Sequence, residues 1–186
     1  MKTVAIFLSA ALAGSVTASP VWTKWDAEEA APSPFFFTST YNVVATPDQV
    51  INGTTRTPGE PGAIGYYNYG INSELDVICY NITLKGVTGD YQSPANTATH
   101  IHEAAVGATG PPRIAFPDPK PVSDDPSVVR RSVGCLTGPF LTGILSNGVD
   151  TGAGFTVKQI EEDPAGFFTD SHTAKYVPGV VRGQLA

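Results

Sequence analysis

The sequence predicts an all-β fold, an antiparallel sandwich or barrel with one short helix, on three observations. From residue 35 onward, β-prone runs alternate with turn residues such as the Asn147-Gly148 pair, the punctuation of many short strands. Charged residues make up 15% of the 186-residue chain, well below the usual share of about 25%, while 19 glycines and 16 prolines exceed theirs. Between Leu75 and Lys85, Ile78, Tyr80, Ile82 and Leu84 form one continuous apolar parity, so that strand must bury one face.

The elements follow in chain order. Lys2, an apolar run from Val4 to Ala13 and the small residues ending in Val16-Thr17-Ala18 have the layout of a secretory signal peptide at 1–18. Cleavage is expected after Ala18, because a cut one residue later would place Pro20 behind the scissile bond. The run is shorter than the roughly 20 residues a membrane span needs, and no second stretch of spanning length follows. Export is therefore expected, with the mature protein extracellular or held at the cell surface or wall. Residues 19–34 lack a period and end Pro-rich, which reads as a flexible leader. Residues 35–186 fit one domain, with strands expected near 35–45, 62–71, 75–85, 97–103, 112–116, 140–147, 167–173 and 179–185. Asp118 to Arg131, broken by Pro119, Pro121 and Pro126, reads as a surface loop ending in an exposed Arg130-Arg131 pair. Thr156-Val157-Lys158-Gln159 matches a capping box, Val157 and Ile160 make an apolar stripe, and Pro164 closes a helix of barely two turns.

Cys79 and Cys135 are the chain's two cysteines. In an oxidising compartment their pairing is the default, and a disulfide closing that loop stabilises by about 4 kcal/mol in the chain-entropy picture. Asn52-Gly53-Thr54 and Asn81-Ile82-Thr83 are glycosylation sequons, so Asn52 and Asn81 are expected to be exposed. Cys79 and Asn81 share the strand face opposite the apolar one. Acidic residues outnumber basic ones 17 to 11 and the basic ones are scattered. A phosphate backbone finds little to neutralise, so nucleic acid is excluded as a partner.

The candidate chemistry rests on three histidines. In Thr99-His100-Ile101-His102-Glu103, strand alternation projects His100 and His102 from one face and Ile101 from the other. Two imidazoles so placed can converge on one ion, and neutral imidazole suits zinc, copper, iron or nickel. His172 is the expected third ligand, with Asp170 on the same face of its strand and Glu103, less well directed, as further carboxylate candidates. The bland alternative is a pair of polar residues on a half-solvated strand, hydrogen-bonded to carbonyls. Asp170-Ser171-His172 is no hydrolase triad, because consecutive strand residues point to opposite faces. Asp124-Asp125 and Glu161-Glu162-Asp163 are explained by solvation, and the glycines between Gly138 and Gly154 lack the lysine and strand-helix context of a phosphate loop. The aromatic runs Phe35-Phe36-Phe37 and Tyr66-Tyr67-Asn68-Tyr69 fit core and edge packing better than a sugar platform.

Three blocks together resemble the CHRD domain, a module named for chordin and found also in stand-alone secreted proteins. They are Thr99-His100-Ile101-His102-Glu103-Ala104-Ala105 with Gly107 and Gly110-Pro111, then Phe168-Thr169-Asp170-Ser171-His172-Thr173, then Pro178-Gly179-Val180-Val181-Arg182-Gly183-Gln184-Leu185. Phe35–Val44, Pro47-Asp48-Gln49-Val50 and Gly62-Ala63-Ile64-Gly65 are similar to the family's opening segments, so the resemblance covers roughly 35–186. It implies an immunoglobulin-like or Cu/Zn-superoxide-dismutase-like Greek-key sandwich without an established catalytic activity. The family usually has an acidic residue where this chain has Val180. Arg182 is retained and is expected to pair with Asp170 or Glu103 as a structural clamp. The His-Ile-His-Glu block also looks like the copper-ligand strand of Cu/Zn superoxide dismutases, but a dinuclear site needs more histidines than this chain has.

The expected function is an extracellular binding or structural module of CHRD type, facing a protein or polysaccharide partner, with or without one bound metal ion, for which copper and zinc are the candidates. The competing expectations are a mononuclear copper or zinc redox enzyme, dismutase-like, built on His100, His102 and His172, and a host-directed secreted effector.

Overall fold

The computed structural model of the chain describes residues 36–125 and 129–186. The expected signal peptide at 1–18 and leader at 19–34 lie outside the described residues. The strands, in chain order, are β1 (Ser39–Ala45), β2 (Ile51–Asn52), β3 (Thr55–Arg56), β4 (Ile64–Asn72), β5 (Val77–Lys85), β6 (Thr99–Glu103), β7 (Pro112–Phe116), β8 (Lys120–Pro121), β9 (Val129–Thr137), β10 (Leu145–Ser146), β11 (Val149–Asp150), β12 (Phe167–Ser171) and β13 (Val181–Gln184). A five-stranded antiparallel sheet runs β1-β4-β5-β9-β8, and a four-stranded one runs β13-β12-β6-β7. The fold is thus an all-β sandwich with one short α-helix, α1 (Lys158–Glu162). Among the described residues, no helix is long and apolar enough to cross a membrane.

The core lies between the two sheets and follows from strand alternation. Ile78, Tyr80, Ile82 and Leu84 of β5 are buried, joined by Tyr67, Tyr69 and Ile71 of β4 and met by Ile101, Ile114, Phe116, Phe167 and Val181 of the smaller sheet. Each large apolar side chain removed from water in this way contributes roughly 1.5–3 kcal/mol. Two polar residues of β12 face the same core, and tyrosines satisfy them. Tyr67 Oη lies 2.8 Å from Ser171 Oγ and Tyr69 Oη lies 2.7 Å from Thr169 Oγ1, so the interior face of β12 is tied to β4 by side-chain hydrogen bonds. At the sheet edges, Thr46 N donates to Arg182 O at 2.9 Å and Arg182 N donates back to Thr46 O at 3.2 Å.

Cys79 and Cys135 are bonded and stand directly opposite each other in the β5–β9 register, on the outer face that also carries Asn81. Asn52 is exposed on β2, and Asn81 accepts a hydrogen bond from Arg131 Nε at 3.1 Å.

Three expectations are corrected. The region read as a loop up to Arg131 already contains β8 and the start of β9. That strand escapes an apolar-period search because its inward face carries Arg130, Ser132 and Gly134, and a Cβ at Gly134 would meet Tyr80 Oη at 2.7 Å. Arg130 is accordingly not an exposed residue. It is buried, donates to Gly89 O at 2.8 Å and lies over the Tyr91 ring. In place of a strand over 140–147 there is only the β10–β11 ladder around Asn147-Gly148, both at positive φ, as a two-residue hairpin turn requires. The capping box forms in its glutamine half. Thr156 N donates to Gln159 Oε1 at 2.9 Å, and Val157 and Ile160 are fully buried, but α1 itself spans five residues.

Candidate metal centre

All five residues of β12 are buried, so the smaller sheet is covered on both faces at this strand. Phe167, Thr169 and Ser171 turn toward the sandwich, which leaves Phe168, Asp170 and the following His172 on the outer face. In the β6–β12 register Asp170 stands opposite His100 and Phe168 opposite His102. The loop before β6 and the turn after β12 fold over this face, joined by a Tyr91–Thr173 bridge and by His172 N donating to Ala98 O at 2.8 Å. Residues about seventy positions apart in sequence are thereby brought to one point, and His100 and His102 share one face of β6 as their spacing of two implies.

Asp170 is the centre of the cluster. Its Oδ1 lies 3.6 Å from His100 Nδ1 and 3.3 Å from His102 Nε2, and its Oδ2 lies 3.1 Å from His172 Nε2. One donor atom from each of the four residues falls within 4.8 Å of all the others. The opposite nitrogen of every ring meets a backbone carbonyl, which can only accept. His100 Nε2–H donates to Thr97 O at 2.6 Å, His102 Nδ1–H to Gly110 O at 2.8 Å and His172 Nδ1–H to Val177 O at 2.8 Å. A neutral imidazole with its proton on the outward nitrogen has a lone pair on the inward one. Three lone pairs therefore converge on a buried carboxylate, an arrangement of acceptors with no donor among them. His100 Nδ1, His102 Nε2 and Asp170 Oδ1 are correspondingly buried without a hydrogen-bond partner.

Protons or a cation must resolve that conflict. Burial pushes Asp170 up, but the attraction of His102 and His172 and the contacts of His100 and His102 more than offset it and hold the carboxyl well below its usual range. Burial pushes His172 down, and the Asp170 charge and hydrogen bond overcome it, with a net rise. One imidazolium satisfies one carboxylate, whereas protonating all three rings would place an excess of positive charge in a buried site. A single divalent cation satisfies all four groups at once. The carbonyl partner behind each ring is the outer support that metal-ligating histidines generally have, fixing tautomer and ring orientation.

The neighbours complete the picture. His102 stacks on Phe168 with ring centroids 4.8 Å apart and planes 5° from parallel, and the Arg182 guanidinium covers that Phe168 ring at 3.5 Å. Arg182 therefore does not make the expected pair with Asp170 or Glu103. It stacks, and it donates to Gln184 Oε1 at 3.3 Å. Glu103 stays outside the cluster, because the alternation that points His102 outward turns Glu103 away, where Arg113 Nε donates to it at 2.7 Å. Ser171 is engaged by Tyr67 and Thr99 on the interior face, which removes the triad arrangement structurally as well. A cavity of about 540 Å³ opens above the cluster, with His100, His102 and His172 in its wall.

The carbonyls of Thr97, Gly110 and Val177 are the supporting groups that sequence reasoning missed, and no side-chain pattern marks them. A family model described as CHRD domain matches residues 41–185. No curated protein and no solved structure matches the chain.

Proposed function

Because the chain belongs to the CHRD domain family, we propose that it works outside the cell as a binding module carrying one divalent transition-metal ion, zinc or copper. The observation that carries the metal is the convergence of three outward-tethered imidazoles on the Asp170 carboxylate. Three nitrogens and one oxygen suit zinc or copper(II), whereas calcium and magnesium take oxygen shells. The edges of a zinc tetrahedron are about 3.3 Å, from bonds of about 2.0–2.1 Å. The separations of 3.1–3.6 Å from the two carboxylate oxygens to the ring nitrogens are of that size, and the four ligand atoms, up to 4.8 Å apart, close in further on a bound ion. His100, His102, His172 and Asp170 are the proposed ligands, and Arg182 a clamp that holds Phe168 against His102.

Export is supported by the Cys79–Cys135 disulfide, a bond that oxidising compartments preserve. Removal of 1–18 and a wall, matrix or surface partner of protein or polysaccharide nature are parts of the same reading. Elemental analysis of protein purified without chelators tests the metal. One zinc or copper per chain is expected, falling below a tenth in both His102→Ala and Asp170→Asn. Metal well below one per chain, or a content indifferent to both substitutions, overturns it.

A further inference from the structure

The cavity over the cluster has a composition that the metal alone does not require. Its wall combines the three histidines with Pro94, Ala95, Ile144 and Val177, and the polar residues among its described lining are Gln92 and Ser93. No lysine, arginine or carboxylate lines it among the described residues, so apart from the histidines and the ion they hold its wall carries no charged side chain to steer a solute. Its volume of about 540 Å³ falls within the roughly 300–1,000 Å³ typical of small-molecule sites. Asp170, 3% exposed, is absent from the wall while all three imidazoles are in it. The imidazole rings therefore stand between the cavity and the Asp170 carboxylate, with the inward nitrogens of His100 and His102 buried just beneath the wall.

Resting on the metal reading above, we propose that this cavity binds a compact, largely apolar molecule with one uncharged nitrogen or oxygen donor, which takes a fifth coordination position on the ion held by His100, His102, His172 and Asp170. The apolar wall holds the body of the ligand and the ion takes its donor. Ile144 and Ala95 set the size of the body that fits. Gln92 and Ser93 stand where a second polar group could be read.

Cobalt(II) loaded into the full mature chain gives a visible absorption band that responds to an added ligand, and imidazole, 4-phenylimidazole and azide are the probes. Imidazole and 4-phenylimidazole share a donor and differ in apolar body, whereas azide is a small anion. The expected result is half-saturation by 4-phenylimidazole at a concentration at least about tenfold below that for imidazole, from burial of the phenyl ring, and below that for azide. Ile144→Trp and Ala95→Leu, each checked for one cobalt per chain, are expected to cut the preference to about threefold or less. A cobalt-loaded wild-type protein whose band ignores 4-phenylimidazole, shows no preference for it over imidazole or prefers azide overturns the inference and leaves the metal reading standing. So does a preference that survives in both variants. Failure of the wild-type chain to hold cobalt defeats the metal reading, and this inference with it.

Discussion

Asp170 shows how little of a site's chemistry lies in its residue types alone. Its position opposite His100 puts a carboxylate among three imidazoles, and backbone carbonyls then decide which ring nitrogen faces it. Replacing it with asparagine keeps the size but removes the charge that makes the cluster a cation site. Isothermal titration is expected to show zinc binding weakened by about 100-fold or more in Asp170→Asn, beyond the 10–100-fold typical of changes behind the ligands. An unchanged affinity would mean that Asp170 is not a ligand. The Asp170 charge raises the pKa of His172, so protons compete with the ion there and wild-type affinity is expected to fall as pH drops from 7 toward 5.5. At this scale the sequence was legible for His100, His102 and His172, because a period of two leaves only one side of the strand for the pair. Glu103 and Arg182 were misjudged in their partners. Arg113 and Phe168, which take them, come from other strand positions whose proximity depends on register.

At the scale of elements, the clearest strand in the sequence, β5, is paired along its whole length, with β4 on one side and β9 on the other. β9 was not legible as a strand, since an inward face of Arg130, Ser132 and Gly134 has no hydrophobic period. The disulfide makes the β5–β9 pairing covalent. Replacing both Cys79 and Cys135 with alanine is expected to cost about 2–4 kcal/mol in chemical denaturation, the usual range for a bond closing a loop of this size. The segment between Phe140 and Gly152 is organised by a side chain. Asp150 accepts from Gly143 N at 2.8 Å, from Thr142 N at 3.0 Å and, in the turn that follows, from Gly152 N at 2.8 Å. Such local bonds compete with strand ladders, which is why a strand reading of 140–147 failed. Burial pushes Asp150 up, yet these amide donors and the Thr142 hydroxyl outweigh it and lower its pKa. A lowered carboxylate adds stability that is present above the unfolded value of about 3.9 and is lost as pH falls through the lower folded value. Thermal melts between about pH 5 and pH 2.5 are expected to show a loss in the wild type that is smaller in Asp150→Asn. Equal slopes would contradict this role. Because Ile144 lies in the same segment, the variant should also loosen the cavity wall.

Across the whole molecule, the two sheets enclose one core, and the metal centre sits outside it, on a face that a two-layer sandwich would leave to solvent. Composition and turn punctuation were enough to read an antiparallel sandwich or barrel, and the CHRD resemblance implied the sandwich. The covering of its outer face was not legible, because Gln92, Ser93, Pro94 and Ala95 look like any polar turn until their loop folds over β12. An ion bound there joins β6, β12 and the turn after β12. Binding only the folded state at 100 times its dissociation constant stabilises by about 2.7 kcal/mol. For a domain of this size that corresponds to roughly 5–10 °C in Tm, so chelator treatment is expected to lower the melting temperature by that amount and added zinc to restore it. A melting temperature indifferent to both would argue against a metal held by these strands.

X-ray absorption at the edge of the bound metal tests the central claim most directly, since it reads the ligands themselves. Three imidazole rings and one carboxylate oxygen predict a first shell of light atoms at about 2.0–2.1 Å, with the outer-shell scattering of three histidines. A shell lacking imidazole scattering, or one built on sulfur, would contradict the assignment of His100, His102, His172 and Asp170.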